Sequence, residues 1–73
     1  MIRSYIGTVM GSIVDTYSRD NESLYKMVSN GYYCAVFSKP RTTVDTVYFS
    51  KIEAEIDEFV DKQVQNGYRK VNV

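Results

Sequence analysis

Apolar residues in the last third of the chain recur at a spacing that a single helical stripe explains. Ile52, Ile56, Phe59, Val60 and Val64 fall at i, i+4, i+7, i+8 and i+12, on one side of an α-helix. Glu55, Asp57, Glu58, Asp61 and Lys62 turn away from that stripe. Ser50 stands where an N-cap is wanted, with Glu53 three residues on, and the pair predicts a capping box. Asn66-Gly67 supplies the stop, because glycine takes the left-handed conformation of a helix C-cap at no steric cost. The pattern predicts one amphipathic helix between Ser50 and Gly67.

The first stretch, residues 1–18, carries two patterns at once. Ile2, Tyr5, Ile6, Val9, Met10, Ile13, Val14 and Tyr17 match a helical stripe. The same stretch is rich in β-branched and aromatic residues, which favour strand. Gly7 and Gly11 would each cost a soluble helix about 1 kcal/mol against alanine. The expectation is a strand bent or bulged at Gly7 or Gly11, with a helix as the alternative.

Residues 20–30 pose the same choice. Leu24, Met27 and Val28 give a short helical set stopped by Asn30-Gly31, yet Asn-Gly is also the strongest two-residue hairpin turn. An internal echo bears on it: Val14-Asp15-Thr16 recurs as Val44-Asp45-Thr46, and Asn30-Gly31-Tyr32 recurs as Asn66-Gly67-Tyr68. Because the second copy is helical before its Asn-Gly, the echo tilts the first toward helix.

Tyr32 to Ser38 reads as a strand, Lys39-Pro40-Arg41 as a turn, Thr43 to Phe49 as the returning strand and Arg69 to Val73 as a short final one. The fold class is α+β, a small antiparallel sheet with helices on one face. The order β-α-β-β-α-β, ferredoxin-like, is expected, with the Tyr32–Ser38 and Arg69–Val73 strands at the sheet edges. The alternative is a β-meander with one C-terminal helix.

Composition changes this picture in a few places. The 73 residues are 44% hydrophobic and 25% charged, as in an ordinary globular chain. They make one small domain, 1–73, which buries only about 60% of its unfolded surface. Nine basic residues balance nine acidic ones, so no overall field draws in nucleic acid or an anionic membrane. Histidine is absent, which removes the commonest general acid–base and metal ligand. The single cysteine, Cys34, excludes an internal disulfide and a cysteine-based zinc site, and it fits a reducing compartment. No apolar run is long enough to span a bilayer. Residues 5–14 are diluted by Thr8 and Ser12 as a signal-peptide core, so a cytoplasmic location is expected.

Seven tyrosines are the one compositional excess. If helices cover one sheet face, neighbours in the strand alternate, and at least one of Tyr32 and Tyr33 faces away from them. Tyr32, Tyr33, Phe37 and Tyr48 are therefore the candidate binding residues. Asn30 to Phe37 keeps the glycine and the first and last aromatics of the third-strand signature of the RNA-recognition motif. It lacks that signature's leading basic residue and middle aromatic, and it precedes the hairpin turn instead of leading into the second helix, so no family is assigned. Glu55, Asp57, Glu58 and Asp61 make an acidic helix face that would suit a basic partner, although a solvated face explains it as well. Asp15 and Asp45, at echoing positions, offer a carboxylate pair without further ligands. Cys34, between apolar neighbours, reads as core filler.

No cofactor or metal site is expected. The leading functional expectation is a non-enzymatic protein–protein interaction module that binds itself as a homodimer, or another protein, through its sheet. Small chains without catalytic motifs often serve as phage or mobile-element accessories that modulate or inhibit a host factor. The alternative is a small nucleic-acid-binding module using sheet-face tyrosines.

Overall fold

Asn30 and Gly31 both have positive φ, 51° and 80°, the combination that a tight hairpin turn matching strand twist requires. They join two strands, Glu22–Ser29 and Tyr32–Ser38, that pair from Ser29↔Tyr32 to Ser23↔Ser38. Residues 24–29 are thus strand, and the echo between the two halves does not extend to their folds. The computed structural model describes residues 1–71. Within them lie β1 (Arg3–Gly7), β2 (Ser12–Arg19), β3 (Glu22–Ser29), β4 (Tyr32–Ser38), β5 (Asp45–Ser50), α1 (Glu53–Gln65) and β6 (Arg69–Lys70).

The six strands form one antiparallel sheet in the order β1-β5-β4-β3-β2-β6. Strands β2 to β5 are a meander, with β1 added beside β5 and β6 beside β2. The architecture is the meander with a single C-terminal helix, and the ferredoxin-like order is not formed. Tyr32–Ser38 is an interior strand, not an edge, since β3 and β5 flank it on either side. The final strand does lie at an edge, paired at Tyr17↔Lys70 and Ser18↔Arg69. The rest of the Arg69–Val73 segment, Asn72 and Val73, falls outside the described residues.

The expected strand over residues 1–18 is present, but divided. It breaks at residues 8–11, and its bulge sits at Val14, where the β2–β3 register slips between Ile13 and Asp15. The 8–11 connection returns from the Gly7↔Asp45 end of the sheet to the Ser12↔Val28 end. It passes so close to β3 that a Cβ on Gly11 would stand 2.3 Å from the Val28 carbonyl oxygen. Ser29 Oγ donates a hydrogen bond of 2.6 Å to the Met10 carbonyl and fastens the connection there.

Alternation along the strands creates two cores. On the helix side Leu24 and Ala35 meet Ile56, Val60 and Tyr68. On the other side Met27, Cys34, Val36 and Val47 pack under Val9 of the 8–11 connection, with Tyr25, Tyr32 and Phe49 around them. Helix α1 lands on its predicted stripe only in part: Ile56 and Val60 are buried, whereas Ile52 and Val64 at its ends are exposed. Ser50 is buried at the end of β5 and helix α1 begins at Glu53, so the predicted Ser50–Glu53 box is displaced. Ser50 Oγ accepts from the Ile52 N–H and donates to Glu55 instead, at 2.6 Å.

One buried charge ties helix to sheet. Lys26, its side chain only 10% exposed, reaches Glu53 at 3.2 Å and Asp57 closer still. Burial pulls its pKa down, but the hydrogen bonds it donates to Asp57 and Glu53 outweigh that and leave it raised.

Candidate functional site

The four aromatic residues singled out in the sequence do not share a surface. Tyr33, Phe37 and Tyr48 lie on the helix side, packed against the first core together with Phe59. Phe37 stands edge-on to Tyr48 and Phe59, with ring centroids 5.7 and 5.9 Å apart. Tyr48 and Phe59 are nearer still, at 4.7 Å. These rings finish the junction between sheet and helix. Tyr32, one residue from Tyr33, points to the opposite side, as the two-residue period requires.

There Tyr32 meets residues that strand pairing brings to it. Cys34↔Phe49 and Arg3↔Phe49 are register partners, so Phe49 of β5 lies between the β4 row and the β1 row. The Tyr32 and Phe49 rings are edge-to-face at 5.5 Å, and Tyr5 and Phe49 at 5.6 Å. Lys51, just past β5, holds its ammonium 5.4 Å from the Tyr32 ring centroid. Two clefts open beside these rings and share Tyr32 and Phe49. One, of about 460 Å³, lies under the 8–11 connection with Cys34, Ser29 and Asn30 in its walls. The other, of about 390 Å³, is lined by Arg3, Lys51 and Ile52. Burial pushes the Cys34 thiol pKa up, so it stays a neutral thiol in the wall.

The acidic helix face is divided among different tasks. Glu55 receives a hydrogen bond from Ser50 and pairs with the Met1 amino group at 2.8 Å. These contacts, the amino group first, hold its carboxyl below the usual range. Asp57 is bound to Lys26, and Glu58 faces Lys62 at 3.7 Å on the exposed side. Asp61 is exposed. Asp15 and Asp45 do not come together, since β3 and β4 stand between their strands. Asp15 pairs with Lys70 at 3.3 Å. Among the described residues no group of three or more histidine, cysteine or carboxylate side chains could hold a metal ion. No helix there is long and apolar enough to cross a membrane.

Two features escaped the sequence pattern. Tyr68 is buried, its hydroxyl donating to Glu22 at 3.0 Å while the Arg19 guanidinium covers its ring at 4.5 Å. Burial first, then the Glu22 carboxylate, raises its pKa. The grouping of Tyr5, Tyr32 and Phe49 was equally hidden, although pairing of the expected strands on either side of the 39–41 turn brings Phe49, opposite Cys34, diagonally beside Tyr32. Comparison of the chain with protein-family models, with curated proteins and with solved structures finds no match.

Proposed function

We infer that the protein is a non-enzymatic interaction module that binds protein by accepting a strand at the free edge of β1. The observation that carries this reading is the state of that edge. β1 has a neighbour on one side only, and its outer residues Tyr5 and Ile6 are 44% and 75% exposed, with Val44 exposed nearby. Native edges are blunted by proline, bulges or inward charges, and Arg3-Ser4-Tyr5-Ile6-Gly7 carries none of these beyond Arg3 at its start. The opposite edge is guarded. There β6 covers Tyr17 and Ser18, the Val71 N–H donates to the Thr16 carbonyl, and the bulge at Val14 distorts the remainder.

An edge of this kind takes an extended segment through main-chain hydrogen bonds, with alternate side chains giving specificity. A second copy satisfies it: antiparallel pairing centred on Tyr5 sets Arg3 against Gly7 and Ser4 against Ile6, with no like charges opposed. A host protein offering a strand satisfies it equally, the form that an accessory role would take. A photoreactive residue placed at Ile6 tests the reading in the cell. Cross-linking to a second copy or to another protein from position 6, and not from Glu58 on the exposed helix face, supports it. Equal cross-linking from both positions, or none from position 6, refutes it.

A further inference from the structure

The aromatic side of the sheet has a charge character that the neutral total conceals. The cleft lined by Arg3 and Lys51 and the one beneath the 8–11 connection share the rings of Tyr32 and Phe49, and among the described residues no carboxylate lines either of them. Of the helix carboxylates, Glu53 and Asp57 pair with Lys26 and Glu58 with Lys62. Glu55 is held by Ser50 and the Met1 amino group, which both line the cleft of Arg3 and Lys51, so its charge beside that cleft is matched by the Met1 cation. What remains on this side is a run of rings, Tyr5, Phe49 and Tyr32, with Arg3 and Lys51 together in the cleft beside Tyr32 and Phe49.

We propose that this groove binds single-stranded nucleic acid, its bases lying against Tyr5 and Tyr32 and its phosphates meeting Arg3 and Lys51. Base stacking on aromatic rings is tolerant of sequence, and a flanking cation neutralises the phosphate that a stacked base brings with it. Lys51 already stands over the Tyr32 ring, within side-chain reach of a phosphate attached to a base stacked there. Phe49 supports both tyrosines edge-on and fixes their spacing. An acidic peptide would satisfy the cations and leave the rings unused, so a nucleic acid fits the whole groove better.

With few phosphate contacts the affinity is modest and falls gently with salt. A fluorescein-labelled deoxythymidine dodecamer, titrated at low salt and read by anisotropy, should bind with Kd on the order of 10⁻⁵–10⁻⁴ M. Its log–log salt slope should be about −1.4, the value for neutralising roughly two phosphates of a single strand. Lys51 is exposed and outside every strand, so Lys51→Glu leaves the fold intact, and it should weaken binding at least about tenfold. Lys39→Glu, at the distant β4–β5 turn, should change it less than about twofold. Tyr32→Ala should abolish binding in a protein whose circular dichroism matches the parent. Failure to bind at about 10⁻³ M, equal effects of Lys51→Glu and Lys39→Glu, or tighter binding of a glutamate dodecamer than of the oligonucleotide would each overturn the proposal.

Discussion

Lys26 joins helix to sheet by two separable means, an apolar stem and a charge, and paired substitutions take them apart. Lys26→Met keeps the stem and removes the charge. Its partners Glu53 and Asp57 are 52% and 51% exposed, so each lost ion pair is worth about 0–1 kcal/mol. The relief of desolvating a nearly buried ammonium offsets a loss of that size. The net change for Lys26→Met should therefore stay within about 1 kcal/mol of the parent. Lys26→Ala also removes about three buried methylenes at about 0.8 kcal/mol each and should cost about 2–3 kcal/mol. Urea unfolding followed by far-ultraviolet circular dichroism separates the two, and their melting temperatures should differ by about 8–16 °C in a domain of this size. The pH dependence adds a second reading. The folded-state pKa of Lys26 is raised, so its charge stabilises fully below its ordinary value of 10.5 and less as pH climbs through the folded value. Stability of the parent relative to Lys26→Met should fall only in that alkaline window. A Lys26→Met protein as unstable as Lys26→Ala would show that the ion pairs, not the stem, fasten the helix.

Gly11→Ala should cost about 2 kcal/mol or more, because the new methyl meets the Val28 carbonyl and the 8–11 connection must lift. Faster reaction of Cys34 with a thiol reagent would report that lifting, and an unchanged rate would contradict it. Tyr68→Phe should lose about 1 kcal/mol by removing the hydrogen bond to Glu22, measured as a lower melting temperature. Glu55 has a lowered folded pKa, so its contribution is present above its ordinary 4.5 and lost as pH falls through the folded value. The parent should approach the stability of Glu55→Gln on acidification, and a constant gap between them would refute the pairing.

Helix α1 was legible because thirteen residues of 3.6-period pattern accumulate evidence. Its stripe overreached at Ile52 and Val64, since a helix of this length crosses the sheet and its ends overhang. Asn-Gly was ambiguous for a physical reason. At Asn30 both residues of the turn take positive φ between paired strands, whereas at Asn66 only Gly67 does, after a helix. The dipeptide specifies a reversal, and the flanking pattern decides which kind. Leu24, Met27 and Val28 fit either period, so tertiary pairing settled them as strand. For the candidate site, alternation required one of Tyr32 and Tyr33 to turn away from the helix, and the pairing makes it Tyr32. Phe49 reaches it through the β4–β5 pairing of consecutive strands, but Tyr5 depends on β1 pairing with β5 across the length of the chain, which no local pattern encodes. Tyr33, Phe37 and Tyr48 were chosen for the same aromatic character, and their parity assigned them to the helix junction.

The placement of β1 also sets an order in time. Strands β2 to β5 can zip together through connections between sequence neighbours, but β1 meets β5 only through contacts at least as distant as Gly7↔Asp45. Closing so long a loop is slow, and it becomes favourable only once the meander presents β5 as a template. β1 then docks after the meander and, held along one side alone, leaves before it. Amides of Tyr5 and Ile6 should exchange with solvent sooner than those of Val36 and Val47 in native-state hydrogen exchange. Each such opening briefly bares the β5 edge and lifts one wall from the groove beside Phe49, so the chain's opening segment works as a latch whose rest position is closed.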